Sequence, residues 1–203
     1  MEIFGIVALA YLIGAVPSGV ILTRMAGIAD IRNMGSGNVG ATNVYRVAGK
    51  RLGFLTLILD ILKGVLPLLL LQYLLESGTI NTPGTPTSIS ALAALALFGG
   101  HCYPVYLRFK GGKGVATALG VFLVLAPLAL LPSLVVFILV LWRWRYVSLA
   151  SISAGTVLPF AVLGYGYPWS LVLVTCVIAA VIVYRHRTNI GRMRLGTENR
   201  FSF

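Results

Sequence analysis

Seven apolar runs separated by short polar segments decide what this chain can fold into. A helix needs about 20 apolar residues to cross the hydrocarbon of a bilayer. Runs at about 3–23, 53–75, 88–107, 114–130, 132–147, 149–164 and 169–185 reach or approach that length. Hydrophobic residues make up 58% of the 203 positions and charged ones 10%, with a mean hydropathy of +0.93. A soluble domain carries about a quarter charged residues, so a soluble enzyme, a disordered chain and a disulfide-stapled secreted domain are all excluded. Within hydrocarbon each backbone polar group must be satisfied inside its own segment, which makes the runs helices. The expected fold is an all-α integral membrane protein of seven transmembrane helices, one domain over 1–203. Gly99-Gly100-His101 should break the end of the third span, and Pro127 and Pro132 should bracket a tight turn between the fourth and fifth.

Charge placement gives the orientation. Sixteen Lys and Arg face five acids, a net +11. Fifteen of the cations fall in 24–52, 108–114, 143–145 and the tail from 185, while the connections around 76–87, 127–132 and 164–168 hold none. Cytoplasmic loops collect Lys and Arg. The N-terminus is therefore expected outside and the C-terminus in the cytoplasm. The basic excess is a topological signal, and no nucleic acid is expected as a partner. Met1-Glu2-Ile3-Phe4 lacks the basic start of a signal peptide, so the first run reads as a retained span. The remaining cation, Lys63, stands three residues after Asp60 inside the second run. Charges there are costly and usually paired, so the two read as an internal ion pair, with support of a site as the second reading. Cys102 and Cys176 lie in apolar sequence and read as packing residues.

Three basic segments are richer than a connection requires. The first is Gly35-Ser36-Gly37-Asn38-Val39-Gly40-Ala41-Thr42-Asn43-Val44-Tyr45-Arg46. Small residues admit close backbone approach, and successive N–H groups can cradle an anion. Thr42 and Arg46 are one helical turn apart, so a short helix could aim both at one anion. An ordinary Gly-rich interfacial loop fits as well. The stretch also matches GxGxxG, but no strand or βαβ unit surrounds it, which rejects a dinucleotide fold.

The second segment runs from Gly99-Gly100-His101 to Lys110-Gly111-Gly112-Lys113-Gly114-Val115-Ala116-Thr117. Backbone donors at a helix start, the helix dipole and an ammonium together favour phosphate. Lys113 opposes the dipole unless an anion is bound, which favours function over a mere positive flank. Gly114 follows the lysine where a Walker A loop needs Ser or Thr. The third segment holds Arg185-His186-Arg187-Thr188-Asn189-Ile190-Gly191-Arg192 and then Gly196-Thr197-Glu198. His186 and Asn189 share a helix face, and His186 reads as a base, a phosphate ligand or a helix-end cap. Ser148 and Ser151, one turn apart at the start of the sixth run, read as packing residues or ligand contacts. The five acids are scattered, so two-metal chemistry lacks its ligands and no metal is expected. Neither His101 nor His186 heads a His-x4-Asp motif.

These motifs, Ser36 to Asn43 with Arg46, Gly100-His101 through Gly111-Gly112-Lys113-Gly114-Val115-Ala116-Thr117, and His186-Arg187-x-Asn189-Ile190 with Gly196-Thr197-Glu198, resemble the three cytoplasmic motifs of the bacterial acyl-phosphate:glycerol-3-phosphate acyltransferases, the PlsY family. The resemblance covers the whole chain. It implies transfer of a fatty acyl group from acyl phosphate to the 1-hydroxyl of glycerol 3-phosphate, giving 1-acyl-glycerol-3-phosphate and phosphate, the first step of phospholipid synthesis. By resemblance Ser36, Arg46, Lys113, His186 and Asn189 are catalytic. Gly37, Asn38, Thr42, Asn43, Lys50, Gly112, Gly114, Ser151 and Glu198 are implied neighbours of the substrates. The site would draw on segments 24–52, 99–114, 143–151 and 185–203. Its partners would be glycerol 3-phosphate, acyl phosphate and the lipid bilayer, with no cofactor, at the cytoplasmic face of the bacterial inner membrane. The competing class is a membrane transporter of phosphate-bearing anions, which should show midplane helix breaks and an inverted repeat. No repeat is visible in the sequence.

Overall fold

The computed structural model describes residues 2–201 and is helical throughout. It divides into two compact units, Met1–Val124 and Leu125–Phe203.

The first unit holds α1 (Glu2–Gly14), α2 (Ser18–Met25), α3 (Ala41–Glu76), α4 (Pro86–Cys102) and α5 (Val115–Leu125). The first apolar run is interrupted: Pro17 cannot donate a backbone bond, and the chain leaves α1 at Ala15 and restarts at Ser18. α3 is continuous over 36 residues except at Gly49, whose φ of 86° bends it. At about 1.5 Å per residue, the part of α3 after the bend, 50–76, extends about 40 Å, past the ~30 Å of hydrocarbon. Its first segment, 41–48, is the short helix expected to carry Thr42 and Arg46. α4 starts on Thr85, which caps Ser88 N–H at 3.3 Å, with Pro86 at the first helical position. α1 and α4 touch backbone to backbone: a Cβ on Gly14 would strike Leu97, and one on Gly100 would strike Tyr11 and Ala15. α3 and α5 cross in the same way at Gly64 and Gly120. Such small-residue crossings are how helices associate where apolar burial gives no drive.

The second unit holds α6 (Pro127–Trp144), α7 (Val147–Gly164), α8 (Trp169–Arg185) and α9 (Arg187–Arg194). Arg145, at φ 61°, ends α6 and reverses the chain into α7. α8 and α9 meet at His186 with a 49° bend.

Large apolar side chains face outward on the long helices, among them Leu55, Leu69, Leu70, Ile138, Leu139, Phe160 and Leu173. Contiguous exposure of this kind fits hydrocarbon and not water. Among the described residues five stretches are long and apolar enough to cross a membrane, with Ile3–Met25 counted as one, and a sixth appears if α8 and α9 form one bent span. The fourth expected span differs from its sequence reading. α5 is only 11 residues, about 16 Å. The break comes at Ala126, before Pro127, and Pro132 lies inside α6. Pro127 occupies the first helical position, where its missing N–H costs nothing, so the helix begins there and no turn forms between the two prolines.

Candidate active site

In the first unit Asn43 organises the Gly-rich segment. It is 2% exposed, and its amide nitrogen donates to the carbonyls of Asn38 (2.8 Å), Met34 (3.0 Å) and Ile31 (3.3 Å). Its Oδ1 accepts from Ser36 N–H at 2.8 Å. A Cβ on Gly35 would collide with that oxygen. Gly35 and Gly37 both have left-handed backbone, φ 58° and 70°, where other residues are strained. Ser36 is held half-buried between them. Asn38 turns its Oδ1 back to Gly40 N–H (2.8 Å), and Gly40 starts α3. Before this loop Asp30 accepts from Arg32 N–H at 3.0 Å and Arg32 Nε at 2.9 Å. Arg32's side-chain and backbone bonds hold the Asp30 carboxyl down at about 2. Thr42 is half-buried and Arg46 exposed one turn on, while Lys50 stands exposed beyond the Gly49 bend.

The second segment lies on the C-terminal end of α4. Gly112 N–H donates to the His101 carbonyl at 3.0 Å. Gly111 and Gly112 are buried, and a Cβ on either would run into His101, its ring at Gly112 and its carbonyl at Gly111. Gly114 has φ 79°, and a Cβ there would hit the Phe98 ring. Arg108 and Phe109 are consecutive left-handed residues, at φ 51° and 62°, a conformation that non-glycine residues hold only under constraint. Lys113 is half-buried two residues before α5, just outside the helix rather than in its first turn.

In the second unit Glu198 gathers three donors. Its Oε1 accepts from Asn189 Nδ2 (2.6 Å) and Ser148 Oγ (2.8 Å), and its Oε2 from Arg192 Nε (2.7 Å). Burial pushes this carboxyl up, but the bonds from Arg192, Asn189 and Ser148 outweigh it and leave it below the usual glutamate value. The tail is tied again by Phe201 N–H to the Arg145 carbonyl at 2.6 Å and by Arg200 Nε to Tyr146 Oη at 3.3 Å. His186, 2% exposed, sits at the α8–α9 bend with Nδ1 2.8 Å from the Ile182 carbonyl. That contact assigns the proton to Nδ1 and makes Nε2 the acceptor nitrogen of the neutral ring. Ser151 donates to Val147 within its own helix at 2.8 Å.

The structure thus gathers Ser36, Gly37 and Asn38 in one loop, tied to Asn43 in the first turn of α3, and Gly112, Lys113 and Gly114 in another. Asn189 and Glu198 form a direct pair, whereas Ser151 is turned to its own helix and Ser148 takes the contact with Glu198. Sequence reasoning gave His101 and Arg192 no role; each acts through residues distant in sequence or on another turn. No group of acids, His and Cys among the described residues could hold a metal.

A sequence profile described as glycerol-3-phosphate acyltransferase matches residues 4–196. The chain belongs to that family. The glycerol-3-phosphate acyltransferase of Syntrophotalea carbinolica is 57% identical over 193 residues, covering 95% of this chain and 94% of that protein. The Aquifex aeolicus enzyme is 44% identical, covering 99% and 100%. The crystal structure of PlsY, an integral membrane glycerol 3-phosphate acyltransferase, in its glycerol 3-phosphate form matches with a TM-score of 0.88 at 42% identity, covering 100% of this chain and 96% of that one. Its lysophosphatidic acid form matches at 0.85 and 41%, with the same coverage. Family, fold and the three motifs agree: this chain is a membrane acyltransferase of the PlsY type.

Proposed function

We propose that the chain transfers a fatty acyl group from acyl phosphate to the 1-hydroxyl of glycerol 3-phosphate. The hydroxyl oxygen attacks the acyl carbonyl, the carbonyl carbon–phosphate oxygen bond breaks, and inorganic phosphate departs. Both reactants carry phosphate, and an acyl phosphate is already activated, so the protein has to position and neutralise rather than supply a nucleophile. The observation that supports this most is the Gly112–Lys113 segment, a buried glycine backbone ending in a cation just ahead of a helix start. Arg46 and Lys113 would hold phosphates, Ser36 and the glycine backbone would line the cradle, and Asn189 would be presented by Glu198. Two proton acceptors fit the chemistry: Nε2 of His186 and the substrate's own phosphate. Segments 24–52, 99–114, 143–151 and 185–203 all serve this one reaction.

The charge alternation supports a seven-span plan with α5 as the short member, the N-terminus outside and the C-terminus in the cytoplasm. The basic segments would then act at the inner face of a bacterial cytoplasmic membrane, with the acyl chain among the helices. The test uses purified protein in detergent with chelator, acyl phosphate and glycerol 3-phosphate, and no membrane to cross. Lysophosphatidate and phosphate should appear together, and Arg46→Gln with Lys113→Gln should abolish both. Full turnover in that double variant would overturn the reading.

A further inference from the structure

A line of buried polar groups runs beneath the Gly111–Lys113 segment. Lys63 Nζ, on α3, lies 2.9 Å from Asp60 Oδ1 and donates to the Val16 carbonyl at 2.9 Å, where Pro17 breaks the first helix. The same Asp60 oxygen stands 3.7 Å from His101 Nδ1 on α4. Asp60, Lys63 and His101 are 2%, 9% and 6% exposed. A cavity of about 10 Å³, room for roughly one water, adjoins all three beside Val16, Pro17 and Ser18. On its other side the His101 ring is pressed against Gly112, with Nε2 where a Cβ would be, and the His101 carbonyl holds Gly112 N–H.

Two buried charges inside a membrane helix are costly, and an apolar pair of like volume would often be as stable or more so. Stability alone gives no reason to keep them. Direction does: a carboxylate facing Nδ1 at 3.7 Å, with room for one water beside the pair, favours a proton on that nitrogen and so biases the tautomer and plane of the imidazole. The plane of this ring is the floor under Gly112. We infer that Asp60 and His101, with Lys63 holding the carboxylate in place, are positioning residues that set the height and tilt of the Gly111–Lys113 backbone for a substrate's terminal phosphate dianion. They touch no reacting atom. The inference rests on the phosphate-cradle reading of that segment. A floor displaced by a fraction of an ångström weakens substrate capture before it impairs the chemical step, so the signature is a rise in KM with little change in kcat.

The experiment measures phosphate release by full-length protein in detergent, with each substrate varied in turn. His101→Phe keeps a ring under Gly112 without its nitrogens. Asp60→Asn with Lys63→Gln removes both charges together, so no unpaired charge stays buried. His101→Phe and the paired variant should raise KM about tenfold for one phosphorylated substrate, with kcat within about threefold. The substrate whose KM moves identifies whose phosphate lies over the floor. Unchanged KM for both substrates in folded His101→Phe overturns the inference, as does a fall in kcat with no rise in either KM. If the paired variant does not fold, His101→Phe decides. Lys113→Gln separates the two failures. If it leaves both KM values and kcat at wild-type levels, the cradle reading itself fails. If it impairs turnover while His101→Phe changes no KM, only the floor is refuted.

Discussion

Replacing Glu198 by Gln removes one charge and almost no volume from the C-terminal segment. The wild-type carboxylate accepts from Asn189 and Ser148 on one oxygen and from Arg192 on the other. A glutamine keeps one carbonyl oxygen. Kept toward Asn189 and Ser148, it turns its own NH2 toward Arg192 Nε, donor against donor. One charge-assisted bond is lost, a contribution of about 1.5–3 kcal/mol. The Arg192 side chain is 36% exposed, so water replaces part of what is lost and the low end, about 1.5 kcal/mol, applies. At about 2–4 °C per kcal/mol for a chain of this size, Tm should fall by about 3–6 °C. Glu198→Ala, which also strips Asn189 and Ser148 of this acceptor, should cost about 3–5 kcal/mol and most of the activity.

Acid gives an independent check on the same group. The folded-state pKa of Glu198 is lowered from 4.5. The unfolded chain then binds the proton more readily, so the stabilisation is present above the ordinary value and is lost as pH falls through it toward the folded one. Thermal unfolding in detergent, followed by tryptophan fluorescence, should show the gap between wild type and Glu198→Gln narrowing as the pH falls from about 5 through 4.5 and below. A gap under about 1 °C at neutral pH, or one that stays constant through that window, would refute the reasoning.

Three further outcomes are expected. His186→Ala should lower kcat about a hundredfold in the phosphate-release assay; a loss under about tenfold would assign the proton to a substrate phosphate. Gly112→Ala drives a methyl into the His101 ring and should destabilise by about 1–3 kcal/mol in the same thermal assay. With Cys102 and Cys176 both replaced by Ala, a cysteine at exposed Asn33 should resist a membrane-impermeant thiol reagent in intact cells, and one at exposed Asn81 should react. The opposite labelling would invert the orientation.

The helices were legible because lipid imposes one rule on every residue of a span, and hydropathy reads that rule directly. The same property hid the α5–α6 break. Residues 114–147 are apolar on both sides of Ala126, so composition does not change where the helix ends. Two prolines offered two stopping points, and only the backbone geometry at Ala126, φ −152° and ψ 61°, shows which one acts. The basic motifs were legible as chemistry but not as construction. Asn43 reads as a ligand contact in the sequence, yet its bonds to Ile31, Met34, Ser36 and Asn38 close the loop that carries Ser36. Ser148 and Ser151 are equivalent by spacing, and only the returning tail, 50 positions later, picks Ser148 for Glu198.

These cases share a physical cause. A segment that must hold a doubly charged ligand is made of glycines and cations, which have little apolar surface to bury and much backbone entropy to lose. Packing orders only part of it, through Ile31, Val39 and Val44 in the first unit, so each unit adds a buried polar side chain whose hydrogen-bonding capacity is spent locally. Asn43 does this with four bonds to its loop, and Glu198 with three donors across α7, α9 and the tail. The partners of such a residue lie wherever the loop closes, at separations of 5 to 50 positions here, so no fixed spacing announces them. A polar residue that is nearly invisible to solvent yet sits inside a basic motif is therefore better read first as the frame of the site. On the proposed reading, the cations of these motifs, exposed Arg46 and half-buried Lys113, would meet the substrates while such residues hold the frame.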